Sequence, residues 1–359
     1  MDLTSETVVE GVPEGLACVA ERINGRLHSL FETESERWRG VDPELAVPYE
    51  ALTRIVEAGG KRLRPAFCFF AYLGAGGNPD DAIVVDAGAA LELLHAFAII
   101  HDDIMDGSEL RRGAKSVHRN FTDWHAEEHF KREARRFGEG VAILIGDLAF
   151  VYADSLLESA PPETRSIYTE LRLEVNVGQY LDLIGTARGK PTVDLAERIC
   201  VYKSGKYTVE RPLHIGASLA HANARVLDQL SAFGIPLGEA FQLRDDMLGA
   251  FGDPAVIGKP VGEDLREGKP TTLVALTLER IAGHELELFL NLFNRAEHDE
   301  ADLATMLGLI EASGARAMVE SHIDQLVSQS LEALEGADLE AEPKRHLAEL
   351  AIFVANRSL

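Results

Sequence analysis

From residue 14 to residue 356 apolar side chains recur at the three-to-four-residue spacing of a helix. The alternation of half-buried strands, and Asn-Gly or Asp-Gly turns between β-branched runs, are absent. Helices are expected over 14–32, 45–58, 64–73, 81–105, 139–158, 163–185, 193–220, 226–250, 270–281, 284–295, 300–312, 315–334 and 341–356. Asn78-Pro79-Asp80-Asp81 and Pro161-Pro162-Glu163 give two of them start signals. Residues 107–138 break the pattern with charge and aromatics, among them Arg135, Arg136, Trp124, His125 and His129. They read as a long connection, a type of segment that is often functional beside a site. No Pro/Gly/Ser-rich linker or internal repeat divides the 359 residues, and 46% hydrophobic content suffices for a large core. One large all-α domain is expected over 1–359, with 1–12 a flexible N-terminus.

Net charge of −24 argues against nonspecific nucleic-acid or anionic-membrane binding. Cys18, Cys68 and Cys200 are widely spaced and form no CxxC, which suits reduced, buried thiols in a cytoplasmic protein. No basic segment followed by an apolar core opens the chain, so no signal peptide is expected. The most apolar stretch, Ala87 to Ile100, contains Glu92 and His95 and reads as too short for stable membrane insertion.

Two aspartate clusters stand late in apolar helical stretches: His101-Asp102-Asp103-Ile104-Met105-Asp106 and Gln242-Leu243-Arg244-Asp245-Asp246. Asp102 and Asp106, four apart, share a helix face and repel. Gly107 marks a stop, so these acids lie in the last turn, where the helix dipole also disfavours anions. Solvated helix ends commonly carry such residues, but Asp102 directly follows the apolar run Ala96-Phe97-Ala98-Ile99-Ile100. A cation is called for, and carboxylates that leave room for water suit Mg2+.

Basic residues form islands in this acidic chain. In Gly59-Gly60-Lys61-Arg62-Leu63-Arg64-Pro65, Lys61 and Arg64 stand where an anion meets the start of a helix. Arg111-Arg112-Gly113 follows the first aspartates, Lys203 and Lys206 flank Ser204-Gly205, and Lys259 and Lys269 follow the second aspartates. His95 lies two turns before Asp102 on roughly the same face. Gln179 and Asp182 share a helix face and either support a metal shell or cap a polar seam. No Gly-x-Ser-x-Gly elbow, His-Glu-x-x-His, P-loop or dinucleotide fingerprint is present. Aspartate–Mg2+ clusters with Lys and Arg suit departure of a diphosphate without a protein nucleophile.

With these residues assembled, the chain resembles the trans-isoprenyl diphosphate synthases, or polyprenyl synthetases, from about Ala51 to the C-terminal helices. The basic loop at 59–65, Glu92-Leu93-Leu94-His95 through Asp106, Arg111-Arg112-Gly113, Gly178-Gln179 through Asp182, Phe241 through Asp246 and the lysine loop 258–269 carry the likeness. Its style is similar to the actinobacterial geranylgeranyl diphosphate synthases. The resemblance implies an isoprenoid-synthase fold, a helical bundle around a central cavity, and a homodimer. It implies Mg2+-dependent head-to-tail condensation of isopentenyl diphosphate with allylic diphosphates. Lys61, Arg64, His95 and Arg112 would hold the isopentenyl diphosphate. Asp102, Asp106 and Asp245 would bind Mg2+, three ions with substrate present, with Asp103 and Asp246 beside them. Arg111, Lys203 and Lys259 would contact the allylic diphosphate, with Gln242 nearby, and Ser204, Gln179 and Lys269 would be further substrate-binding residues.

Two departures stand out. The second motif of the family often ends in a further aspartate, and here that position is Gly249, with Asp253 a partial substitute. The family's Lys-Thr pair is Lys203-Ser204, and nearby Lys206 competes for the role. Phe97 and Ala98, five and four residues before Asp102, and Leu94 one turn deeper, are the expected chain-length floor. An aromatic there without an insertion in the first motif resembles the twenty-carbon producers, so geranylgeranyl diphosphate is the expected product and farnesyl diphosphate the chief alternative. A terpene cyclase would not need Lys61, Arg64, His95 and Arg112, and a non-catalytic partner subunit would have lost the metal motif.

Overall fold

The computed structural model describes residues 13–252 and 262–355. In chain order its helices begin with α1 (Glu14–Arg39), α2 (Ala46–Glu57), α3 (Leu63–Gly74) and α4 (Ala82–Asp106). A two-stranded hairpin follows, β1 (Leu110–Arg111) with β2 (Ala114–Lys115), then α5 (Val117–Glu127), α6 (Ala134–Leu156), α7 (Pro162–Arg188) and α8 (Val193–Ile199). A π-helical segment, Cys200–Glu210, runs directly into α9 (Arg211–Leu219) and is followed by α10 (Ala224–Phe251). The chain closes with α11 (Glu263–Arg266), α12 (Thr272–Arg280), α13 (His284–Phe293), α14 (Glu300–Ser313), α15 (Ala315–Glu335) and α16 (Ala341–Ala355). The expected flexible segment 1–12 lies outside the described residues, as do Asp253 and Lys259.

Helix α4 is the axis of the bundle. Leu91, Leu93 and Leu94 are fully enclosed, and α1, α2, α3, α6 and α9 all pack against it. A helix apolar on nearly all sides belongs in such a place. At 25 residues, with a mean hydropathy of 1.9 over an 18-residue window, α4 is long and apolar enough to cross a membrane, which corrects the reading from length. Its burial, 61% of its most apolar window, accounts for that apolarity as core. One hydrophobic cluster joins α1–α7, the π segment, α9, the first half of α10 and α16. A second joins the latter half of α10 to α12–α15. Helix α10 thus spans both, with Phe233 and Leu237 in the first and Leu243 and Met247 in the second.

Three local structures differ from the sequence expectation. The stretch 107–138 is not an irregular connection. Val117, Phe121 and His125 of α5 are buried at four-residue spacing, and two of its four buried residues are histidines, so the period was masked. Arg112 (φ 52°) and Gly113 (φ 75°) form the two-residue turn of the hairpin, where type I′ geometry requires positive φ at both. The expected helix 193–220 is continuous but contains the π segment. That segment packs backbone to backbone on its neighbours: a Cβ on Gly178 would lie 2.3 Å from Lys203 N, and one on Gly238 2.5 Å from Gly205 O. Single-turn π-bulges are frequent at functional sites, and a run of 11 residues is far longer.

Candidate active site

A cavity of ≈ 1840 Å³ opens among α3, α4, α7, the π segment, α10 and α16. Both aspartate motifs and the basic loop reach it. Helix α4 supplies His95, Ala98, Ile99 and Asp102 to the wall, and its C-cap Gly107 adopts φ 70°, so the helix stops directly after Asp106 as expected.

On the acidic side, Lys203 Nζ lies 3.1 Å from Asp102 and 2.6 Å from Asp182, while Gln179 Nε2 donates to Asp102 at 2.9 Å. Gln179 therefore holds the first motif directly from α7, and Asp182 meets it only through Lys203. Lys206 turns away to Glu174 (2.8 Å) and Glu210 (3.1 Å), so of the two lysines Lys203 is the one that meets the aspartates; Ser204 lines the cavity beside it. Lys269 lies 2.9 Å from Asp106 and 2.8 Å from Glu267. Asp103 points elsewhere. It is buried, and it accepts from Arg111 Nε at 2.8 Å and from a second guanidinium nitrogen, so it anchors the hairpin rather than facing the cavity. On α10, Gln242 Nε2 donates to Asp246 at 2.6 Å, and Asp245 and Asp246 both line the cavity.

Charge compensation differs among the acids. Burial would raise Asp102, but Lys203, Lys269 and Arg111 outweigh it and hold its carboxyl below the ordinary range. Asp106 is pushed up by burial and the Asp102 charge despite Lys269, and Asp106 Oδ2 takes no hydrogen bond of good geometry. Asp246 is pushed well above the ordinary range by burial and by Asp264, Asp245 and Asp182. Among the described residues no three His, Cys, Asp or Glu side chains enclose an ion on their own. Such a donor set fits Mg2+, which takes one or two carboxylates and completes its shell with water and substrate phosphate.

The other side is cationic. Arg64 donates to Thr208 at 2.9 Å and stacks on Tyr207 at 4.2 Å, while its Nε is buried without an acceptor. His95 Nδ1 meets Tyr207 Oη at 3.0 Å. Burial and then Arg64, Arg112, Arg111 and Arg62 depress the His95 pKa far below its ordinary value, so the imidazole is neutral near pH 7. Lys61 lies 4.9 Å over the Phe353 ring. Sequence reasoning missed Arg62. It is buried at φ 50°, pairs with Glu92 at 2.7 Å, and donates to Asn24 at 2.9 Å and the Val56 carbonyl at 2.6 Å. Arg62 fixes the backbone from which Lys61 and Arg64 project; its signal was a buried glutamate 30 residues away.

The lower wall is apolar, with Ala98, Ile99, Val175 and Phe241. Phe97 is turned from the cavity onto Phe150 (4.8 Å) and His101 (4.5 Å), and Leu94 is fully buried behind the wall.

The polyprenyl synthetase family model matches residues 46–310. The chain is 36% identical to the crystal structure of geranylgeranyl pyrophosphate synthase from Corynebacterium glutamicum complexed with isoprenyl diphosphate and magnesium, covering 95% of this chain and 99% of that one at a TM-score of 0.90. It is 30% identical to a short chain isoprenyl diphosphate synthase of Methanothermobacter thermautotrophicus over 92% of this chain and 97% of that protein. Against a geranylgeranyl diphosphate synthase of Mycobacterium tuberculosis identity is 31%, over 78% and 76% of the two chains. The chain belongs to the polyprenyl synthetase family, whose members are Mg2+-dependent prenyltransferases using isopentenyl and allylic diphosphates.

Proposed function

We propose that the chain extends allylic diphosphates by head-to-tail addition of isopentenyl diphosphate, with geranylgeranyl diphosphate as main product. The observation that carries this reading is one cavity that brings the carboxylates of both aspartate motifs and the guanidinium of Arg64, whose Nε is buried without an acceptor, together beside an apolar wall. Asp102, Asp106 and Asp245 hold Mg2+, three ions with substrate bound. The metal supplies charge neutralisation at the leaving diphosphate. Lys203, Lys269 and Arg111 add fixed positive charge around that group, and Gln179 and Gln242 orient the carboxylates. Arg64, Arg112, Lys61 and neutral His95 hold the diphosphate of isopentenyl diphosphate, which does not ionise. The allylic C–O bond breaks, the isopentenyl double bond attacks the freed carbon, and the proton lost in forming the new double bond passes to the released diphosphate. The protein lives in the cytoplasm as a homodimer. Leu144 and Val151 of α6 and Leu173, Val177 and Tyr180 of α7 are each more than half exposed, apolar surface suited to a second copy. A solution mass of one 39.2 kDa chain at micromolar concentration would refute the dimer.

The division of the poles is testable by steady-state kinetics. Arg112→Ala and His95→Gln should raise KM for isopentenyl diphosphate about tenfold or more, each losing a charged or neutral hydrogen bond of roughly 1–3 kcal/mol, with KM for the allylic partner nearly unchanged. Lys203→Ala should act on the allylic side. Equal effects on both substrates in all three variants would refute the division.

Product length depends on the apolar wall. The allylic tail runs from Asp102 back along α4 past Ala98, so Ala98→Phe should shorten the main product. Phe97→Ala should lengthen it by loosening the Phe97–Phe150 contact behind the wall. Because Phe97 is only partly buried, Phe97→Ala should cost less than the roughly 3–5 kcal/mol of a fully buried ring. An unchanged product spectrum from a folded Ala98→Phe enzyme would show that the tail takes another path.

A further inference from the structure

Helix α16 is fastened along α3, the two running in opposite directions. Glu340 N, just before α16, donates to the Gly74 carbonyl at the end of α3 at 2.9 Å. His346 stacks on Phe70 of α3, with ring centroids 4.6 Å apart and planes inclined by 23°. Leu347, Leu350 and Val354 are fully buried and fix the rotation of α16. Phe353, partly buried, is thereby brought to the loop that precedes α3, where the Lys61 ammonium lies 4.9 Å from its ring centroid. His346, Glu349 and Phe353 stand at three- and four-residue spacing and share the face of α16 that lines the cavity. The acid of that face, Glu349, is taken by its own helix: Arg345 donates to it at 2.6 Å, and His346 Nδ1 lies 3.2 Å away.

We propose that Phe353 is a positioning residue for isopentenyl diphosphate, its ring face holding the Lys61 ammonium at the cavity wall. The proposal rests on the reading that Lys61 holds the diphosphate of that substrate. A lysine in a loop led by Gly59 and Gly60 has much rotamer freedom to lose, and a contact that restricts it before substrate arrives lowers the cost of binding. The negative face of an aromatic ring attracts an ammonium without bringing a full negative charge. Arg62, one residue on, shows the contrast: Glu92 pairs it at 2.7 Å and commits it to structure. A carboxylate at position 353 would do the same to Lys61 and would repel an incoming diphosphate. Phe353 therefore acts on the affinity for isopentenyl diphosphate, through Lys61, and leaves the acidic side of the cavity untouched.

The test is a cycle of variants in the full chain: Phe353→Leu, Phe353→Tyr, Lys61→Met and Lys61→Met/Phe353→Leu. Leucine keeps the apolar packing and removes the ring, whereas tyrosine keeps the ring. Two readouts are taken, steady-state kinetics with isopentenyl and geranyl diphosphate varied in turn, and calorimetric titration of the protein with isopentenyl diphosphate alone. Phe353→Leu should raise KM and Kd for isopentenyl diphosphate about fivefold, with kcat and KM for geranyl diphosphate within about twofold of the parent. Phe353→Tyr should stay within about twofold of the parent in every readout. The double variant should bind no more weakly than Lys61→Met, because the ring then has no ammonium to hold. An unchanged Phe353→Leu, or a Phe353→Tyr as weak as Phe353→Leu, would overturn the proposal, while a raised KM in Lys61→Met would leave the role of Lys61 standing. Penalties that add in the double variant would show that Phe353 acts by packing and not through Lys61, and would overturn it as well. If Lys61→Met itself left KM and Kd unchanged, the role of Lys61 would fall, and the proposal with it.

Discussion

Replacing Asp102 or Asp245 with alanine is expected to lower kcat by roughly two to four orders of magnitude, because loss of leaving-group stabilisation costs several kcal/mol and each tenfold is about 1.36 kcal/mol. The two sites differ in what else they lose. Asp102 is also the partner of Lys203 and Gln179, so its removal leaves Lys203 on Asp182 alone and frees the Gln179 amide. Asp245→Ala removes one of two neighbouring cavity acids on α10 while Gln242 still holds Asp246. Single-turnover kinetics at saturating substrates checks the effect on chemistry, and circular dichroism checks that the helices persist. Less than a tenfold loss in a folded Asp102→Ala enzyme would remove that residue from the metal set.

The second large effect is expected far from the reacting atoms. Glu92→Ala should destabilise the fold by about 3–5 kcal/mol, since it leaves a buried guanidinium without its counter-charge. Arg62 is 4% exposed, and its other contacts are neutral, to Asn24 and the Val56 carbonyl. The same change should loosen the loop carrying Lys61 and Arg64 and raise KM for isopentenyl diphosphate. Chemical denaturation measures the first effect. The double variant Arg62→Met/Glu92→Ala should be more stable than Glu92→Ala alone, because an apolar pair leaves no charge buried. A single variant as stable as the parent, or a double variant worse than the single, would contradict the account of this pair.

Much of this architecture was legible in the sequence because helical period and catalytic spacing coincide there. On α4 the apolar run, Asp102, Asp106 and the Gly107 stop all obey one helical count, so the acidic end of the helix was readable residue by residue. Gln179 and Asp182 obey it too. The places where reading stopped have physical reasons. Lys203 and Lys206 would share a face of an α-helix at three-residue spacing, but the wider π winding of Cys200–Glu210 sends one to the aspartates and the other to Glu174. Asp103 sits inside the first aspartate motif, and only the hairpin that returns Arg111 to it reveals its ion pair. Helix α5 was hidden because its buried positions include His118 and His125 as well as Val117 and Phe121. Arg62 sat unnoticed inside a basic loop because its partner Glu92 is defined by tertiary contact and not by spacing. Phe97 shows the remaining gap: its position relative to Asp102 is fixed by sequence, while the direction of its ring depends on Phe150.

The most direct test of the central claim is turnover by the purified chain alone. The protein is incubated with Mg2+, isopentenyl diphosphate and, separately, dimethylallyl, geranyl or farnesyl diphosphate, and products are read by mass spectrometry with and without excess chelator. The account predicts elongated linear diphosphates with geranylgeranyl diphosphate dominant, and none when the metal is chelated. Cyclic hydrocarbon released from an allylic diphosphate alone, full activity in chelator, or no elongated product from any starter would contradict it.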